Sequence, residues 1–216
     1  MTKETHESLR GSRHGGTLRT QETQGIGRLH NFLTNDVMPC SLPECTHIFV
    51  EVPNQEMLQE AAALGATEVC LQGGIHPDYT GQTYLDIVET VKAAAPDMHV
   101  HAFSPLEIDQ GAKTLGLSLE RYLRLLKEAG LDSLPGTAAE VLDEGVRSIL
   151  CPDKVTSDRW LEIMECAHEV GLFSTATIMF GHVDAGPAWV AHWQRVIELQ
   201  RRTGGFTEVV PLPFVS

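Results

Sequence analysis

Glu68-Val69-Cys70-Leu71-Gln72-Gly73-Gly74-Ile75-His76-Pro77 is a short apolar run that ends in paired glycines and then a His-Pro. Glycine pairs let another backbone or a ligand approach closely, because no side chain stands in the way. A strand that opens at its C-terminal end into such a loop is where parallel α/β folds carry their chemistry. Gln72 to His76 therefore reads as one corner of a site, and the layout recurs further along the chain.

Outward from this stretch the pattern is regular. Strands are predicted to begin near residues 68, 98, 131, 173 and 206, with an earlier short one over 46–52 stopped by Pro53. Helical periods lie between them: 55–64, 83–95, a helix capped by Ser118 and stopped at Gly130, and one lined by Trp160, Ile163, Met164 and Ala167. Another starts at Pro187 and carries Trp189 and Trp193, whose helical spacing suits the core. The Thr137-Ala-Ala-Glu140 run has the T-x-x-E form of a capping box, which predicts a helix from 137 to about 150. Strands separated by roughly 30 to 40 residues with a helix between them are βα units and require a parallel sheet. The expected fold class is α/β, a partial (β/α) TIM-type barrel, since a closed eight-unit barrel needs about 250 residues. Residues 1–30 are polar and aperiodic, so 1–45 is expected to be a disordered or unrelated segment and 46–216 the barrel.

The 216 residues are 42% hydrophobic and carry a formal net charge of −13. The acidic excess lies entirely in the body after residue 45, which argues against a nucleic-acid footprint. No apolar run reaches the roughly 18 residues of a membrane span, and the simplest compartment is the cytosol. Five widely spaced cysteines (Cys40, Cys45, Cys70, Cys151, Cys166) do not suggest a disulfide framework. Cys70 and Cys166 read as small buried hydrophobes, and Cys151-Pro152-Asp153-Lys154 as a turn.

Polar residues gather where the predicted strands end: Gln72, Gly73, Gly74 and His76; His101, Ser104 and Glu107; Ser133, Gly136 and Thr137; His182 and Asp184; Glu208. In a parallel barrel these ends share one rim. His99 and His101 are two apart on a strand and share a face, either as a metal-binding H-x-H or with one ring packed and the other facing solvent or substrate. His182 and Asp184 form a candidate acid–base pair. A divalent-metal hydrolase or lyase built on His76, His99, His101, His182 and Asp184 is one alternative, and a non-catalytic barrel with sheet edges that recruit a partner is another.

Six blocks in order carry a resemblance to a known family: Gly65 to Asp78, His99 to Glu107 (HVHAFSPLE), Ser133 to Glu140 (SLPGTAAE), Cys151 to Lys154, Gly181 to Asp184, and Thr203 to Phe214. The stretch from about Glu60 to Val215 resembles the transferase half of the FO synthase family of radical S-adenosylmethionine (SAM) enzymes, which make the deazaflavin precursor of coenzyme F-420. Menaquinone-route (futalosine) radical SAM enzymes share parts of the pattern. The resemblance implies SAM and a [4Fe-4S] cluster as cofactors and cleavage of SAM to a deoxyadenosyl radical. It also implies transfer of the p-hydroxybenzyl part of L-tyrosine to 5-amino-6-(D-ribitylamino)uracil, with a cyclase subunit as partner. It implies further that Gln72, Gly73, Gly74, Ser104 and Glu107 face SAM, that His76, His101 and Thr137 face substrate, and that Glu107, His182 and Asp184 are catalytic. Glu107 and Asp184 are the acid–base candidates, on the expectation that a dry pocket raises a carboxyl pKa. The family's cluster motif, C-x-x-x-C-x-x-C, does not occur in the 216 residues. The expectation that follows is a family member with its cluster half replaced and its last units cut away, inactive by itself.

Overall fold

The computed structural model describes residues 17–21, 28–32, 47–50, 54–73 and 75–214. Strands β1 (Thr17–Gln21) and β2 (Arg28–Phe32) pair antiparallel, in a stretch where the sequence shows no apolar period. The rest of the disorder expected over 1–45 lies outside the described residues. Then come β3 (His47–Val50), α1 (Gln55–Ala63), β4 (Glu68–Leu71), α2 (Gly81–Ala94), β5 (His99–Ala102) and α3 (Pro105–Leu115). They are followed by α4 (Leu119–Ala129), β6 (Ser133–Leu134), α5 (Glu144–Leu150), α6 (Ser157–Glu169), β7 (Phe173–Phe180), α7 (Gly186–Thr203) and β8 (Phe206–Pro213).

The six later strands form one sheet in the order β3-β4-β5-β6-β7-β8, and every neighbouring pair is parallel. Spatial order equals chain order throughout. That is the winding of a (β/α) barrel; a doubly wound sheet would reverse direction part-way across. The structure is therefore the partial α/β barrel that the spacing implied.

The two faces of the sheet differ in chemistry. On β4 and β5, Val69, Leu71, Val100 and Ala102 are buried in one cluster with Leu85, Val88 and Val91 of α2, Ile108 of α3 and Leu123 and Leu126 of α4. Burying a valine or leucine of this kind contributes about 1.5–3 kcal/mol. By strand alternation, Glu68, Cys70, His99 and His101 belong to the opposite, inner face. A second cluster joins Trp160 and Met164 of α6 to Ala176 of β7, Val196 and Leu199 of α7, and Phe206 of β8.

Because β6 is two residues long, side chains help hold it in the sheet. Asp132 Oδ2 accepts the N–H of Val100 at 2.8 Å and an N–H of Lys92 at 2.8 Å, and Lys92 also donates to Met98 O. The close turn after α4 requires glycine: Gly130 has φ +113, and a Cβ there would meet Lys92 Cγ at 2.6 Å. Buried Asp109 ties α3 to α6 by accepting both Nε and Nη2 of Arg159, at 2.8 and 2.7 Å.

Two elements differ from the sequence expectation. Helix α3 is absent from the period reading, yet Ser104 is its N-cap and Pro105 opens it. The helix expected from 137 does not form until Glu144, where Asp143 is the N-cap and accepts the N–H of Val146.

Candidate functional site at the C-terminal rim

Phe103 follows β5 with φ +67, an unusual backbone for a bulky residue. Its ring is held against Tyr84, with centroids 4.9 Å apart. This turn leads the chain straight into Ser104 and α3. Glu107, at N3, accepts the N–H of Ser104 (2.7 Å) and its hydroxyl (2.7 Å) through Oε2. Ser104 Oγ in turn accepts the Glu107 N–H at 3.4 Å, completing a capping box. The other carboxylate oxygen, Oε1, accepts the N–H of Gly73 at 3.1 Å. One buried carboxylate thus links the loop after β4 to the helix after β5. Burial raises the Glu107 pKa, and the hydrogen bonds from Ser104 and Gly73 offset part of that rise.

The next rim segment, after β6, is built differently. Gly136 is pinned to β7: its N–H donates to Thr175 Oγ1 at 2.8 Å and its C=O accepts from Thr177 Oγ1 at 2.6 Å. A Cβ at Gly136 would lie 2.5 Å from Ala176 Cα, so only glycine fits. Ala138 and Glu140 have φ of +59 and +47. Arg147, only 2% exposed, clamps this turn by donating to the carbonyls of Ala138 (3.3 Å), Ala139 and Val155. Glu140 pairs with Lys154, in the turn expected at Cys151–Lys154. Thr137 gives its carbonyl to the Trp160 indole N–H at 3.0 Å, while its hydroxyl is buried with no partner. The three non-glycine residues of positive φ among the described residues therefore all lie just beyond the C-terminal ends of β5 and β6. Strain of this kind persists only where surrounding contacts over-determine it, and it clusters at functional sites.

The structure brings some expected residues together and leaves others apart. Gly73, Ser104 and Glu107 form one hydrogen-bonded unit. Gln72 stays on β4's own loop and donates to Cys70 Sγ at 3.3 Å. Gly74 lies outside the described residues. His76 is exposed and engages only its local turn, 3.9 Å from Asp78 and ring to ring with Tyr79. His101 is joined to Ser133. His182 is exposed against Phe214, with ring centroids 4.5 Å apart.

The raised pKa expected for Asp184 is not what the structure shows. Slight burial works to raise it, but hydrogen bonds from the Gly181 N–H, the Trp189 indole and the His182 N–H prevail and hold the carboxyl at about 2. Asp184 is a loop anchor that stays ionised, with no proton to exchange near neutral pH. Among the described residues no three His, Cys, Asp or Glu form a metal-binding group, and His99 turns Nε2 and His101 Nδ1 to Ser133.

Sequence reasoning missed Arg147, whose only signal is an arginine inside an otherwise apolar helical face (Val146, Ile149, Leu150). It also missed Ser133 as a partner of the histidines, a link legible only once β5 and β6 are in register.

A family model described as the radical SAM superfamily matches residues 40–185. The chain belongs to the radical SAM superfamily. Two curated transferases, each named 5-amino-6-(D-ribitylamino)uracil–L-tyrosine 4-hydroxyphenyl transferase, are similar to it. That of Methanopyrus kandleri is 51% identical over 160 residues, covering 74% of this chain and 43% of the relative. That of Methanothermobacter thermautotrophicus is 46% identical over 160 residues, covering 74% and 44%. The FO synthase of Mycobacterium tuberculosis is 56% identical over 156 residues, covering 72% and 18%. The chain thus spans less than half the length of these curated relatives.

As a radical SAM chain it is expected to meet SAM and an iron–sulfur cluster. The described thiols do not suit a cluster. Cys70 lies on the inner face of β4, Cys151 ends α5 and Cys166 is on α6 against the outer helical core. Burial, with Glu68 and Glu107 adding to it against the Gln72 hydrogen bond, pushes the Cys70 thiol up to about 11. Burial raises the other two as well. A cluster needs clustered thiolates, and the described thiols are scattered over β4, the end of α5 and α6. Cys40 and Cys45 lie outside the described residues. For SAM the rim offers the backbone of Gly73, where a Cβ would meet only Glu107 Oε1, at 3.8 Å, and the unpartnered buried hydroxyl of Thr137.

Among the described residues no helix is long and apolar enough to cross a membrane.

Proposed function

We propose that this chain supplies the SAM- and substrate-facing rim of a radical SAM transferase that joins the p-hydroxybenzyl part of L-tyrosine to 5-amino-6-(D-ribitylamino)uracil in deazaflavin biosynthesis. The observation that carries this reading is the 51% identity to a transferase of that name over 74% of the chain. The geometry is compatible with it, since hydrogen bonds from neighbouring elements hold the stretches bearing Gly73, Ser104–Glu107 and Gly136–Glu140 in place.

In this reading SAM, when bound and given one electron by an iron–sulfur cluster, would supply a radical able to abstract hydrogen. The chain's own contribution is positional. Glu107 holds the Gly73 loop at fixed depth. Gly136 keeps the β6 loop tight on β7, and the Thr137 hydroxyl donates to or accepts from a bound ligand. Reactive hydrogen abstraction demands fixed geometry, and a 1 Å misplacement costs on the order of a hundredfold. The 1–45/46–216 division is part of the same proposal: the barrel portion acts and the preceding portion is separate.

The test is calorimetric titration of the full chain with SAM, followed by anaerobic assay with SAM, reductant, L-tyrosine and the ribitylaminouracil, read by product mass. The expected result is saturable SAM binding that Gly73→Val weakens at least tenfold with no change in unfolding midpoint. Failure to bind SAM overturns the site. Binding with no joined product in the presence of a reconstituted cluster overturns the substrate assignment.

A further inference from the structure

The inner face of the sheet carries a polar row that the rim does not use. Glu68 on β4 is the register partner of His99 on β5, and His101 is the register partner of Ser133 on β6. Ser133 Oγ lies 2.7 Å from His99 Nε2 and 2.7 Å from His101 Nδ1. His99 Nε2 is also 3.8 Å from Glu68 Oε2. The serine is 8% exposed, so water competes little for its hydroxyl. Four groups that bind and release protons thus lie in one line across three neighbouring strands.

A serine hydroxyl has one proton and two lone pairs, and an imidazole nitrogen either donates or accepts. With both rings neutral, Ser133 donates to one ring and accepts from the other. The two histidines therefore hold correlated tautomers, and the state of one is felt by the other through a single oxygen.

We propose that Glu68, His99, Ser133 and His101 form a proton relay on the inner sheet face, carrying a proton from the layer nearest the rim to the N-terminal end of the strands. The step balances once a proton from the substrate reaches the far nitrogen of His101, Nε2, and makes that ring cationic. His101 Nδ1–H then gives its proton to Ser133 Oγ as Ser133 passes its own proton to His99 Nε2; two N–H/O–H bonds break and two form, His101 is left neutral and His99 is left cationic beside the Glu68 carboxylate. His99 then returns to neutral by releasing its Nδ1 proton to water through its half-exposed ring. The substrate class such a relay serves is one that must lose a proton from O–H or N–H, such as a phenol or an ammonium group. Among the described side chains the other charged and titratable groups around the row are Cys70, two residues from Glu68 on β4, and Asp132 with its Lys92 partner at the start of β6; the register position opposite Glu68 on β3 is residue His47. Cys70 stays protonated, and Asp132 is engaged by Val100 and Lys92 on the helical side. The relay goes beyond the transferase reading and does not depend on it.

The test is an imidazole ¹⁵N titration of the full chain by long-range ¹H–¹⁵N correlation NMR. In the wild type, His99 and His101 should show the same tautomer at high pH, both Nδ1–H or both Nε2–H, because Ser133 meets Nε2 of one ring and Nδ1 of the other. They should titrate as a coupled pair, in two steps separated by more than about one pK unit. Ser133→Ala should uncouple them into two independent one-step curves. His99→Gln, at a side chain 44% exposed, should leave His101 titrating in one step. Should Ser133→Ala fail to fold, His99→Gln decides by itself. Wild-type curves that are already independent, or a His101 curve unchanged by His99→Gln, overturn the relay.

Discussion

Ser104-Pro-Leu-Glu107 and Thr137-Ala-Ala-Glu140 have the same hydroxyl-x-x-Glu form, and only the first is a helix cap. At Ser104 every contact favours the helix. Proline fixes φ at the first helical position, the serine and glutamate satisfy each other's N–H groups, and Ile108 and Ala112 fall on the buried face. At Thr137 local preference is overruled from outside. Thr175 and Thr177 seize Gly136, Arg147 takes the carbonyls of Ala138 and Ala139, and Lys154 takes the Glu140 carboxylate. The carbonyls and carboxylate that a helix would use are spent on tertiary partners, and the backbone is left in the left-handed region. A capping motif is thus a statement about local energy of about 1 kcal/mol, which two or three buried hydrogen bonds outweigh.

The comparison breaks most sharply at Arg147. Arg147→Met removes the clamp and leaves buried carbonyls unpaired, with an expected loss of about 3 kcal/mol in urea unfolding. Helicity gained over 137–143 in the variant, read by backbone chemical shifts, would show that the clamp suppresses a latent cap. Glu107→Ala should cost about 2 kcal/mol, because the Gly73 and Ser104 donors lose their acceptor. It should also weaken SAM binding, by freeing the Gly73 loop. An unchanged midpoint would mean that water replaces the carboxylate.

Paired substitutions sharpen the contrast at smaller scale. Ser104→Ala should destabilise by about 1 kcal/mol, as the loss of a true N-cap does. Thr137→Val, which replaces an unpartnered buried hydroxyl with a methyl group, should be neutral or stabilise by about 1 kcal/mol. Equal losses at the two sites would erase the distinction.

A separate contrast is in pH. His192 Nδ1 accepts the N–H of Leu142, at the end of the second segment, at 3.0 Å. Burial, helped by Arg147 and Arg195, lowers its pKa from 6.5 to about 4. Between these values the unfolded chain binds the proton that the folded chain refuses, so stability is complete above pH 6.5 and falls as the pH drops towards 4. His168, likewise lowered by burial to about 4, adds to the same window. Glu107 has the opposite sign: its raised pKa makes its contribution largest in acid, and it declines as pH rises past its unfolded value. Amide exchange at Leu142, corrected for the intrinsic rate, should therefore accelerate on acidification to pH 5, while exchange at Gly73 should not.

Much of the fold was legible because it rests on periodicity. Strand starts near 68, 98, 131, 173 and 206 required only apolar runs spaced by helical ones, and the sheet follows from them. Helix α3 was hidden because its signal lay in Ser104, Pro105 and Glu107, residues whose polarity also suits a rim. The site was legible in part. Gly73, Ser104 and Glu107 converge, since strand ends in this winding share an edge. His182 and Asp184 sit at another strand end, yet the local turn satisfies the carboxylate completely. Arg147 and the Ser133 bridge were invisible, because both depend on which residues of distant segments face each other, and no spacing along one segment encodes that.

The identity of chain order and sheet order bears on synthesis. Each strand from β4 onward hydrogen-bonds to the strand made just before it, so the sheet grows at one edge as the polypeptide leaves the ribosome. Among the described residues every closure from β4 onward spans one or two helices and no more. Loop-closure entropy is met in small instalments, and the time for which bare strand edges face other nascent chains is short.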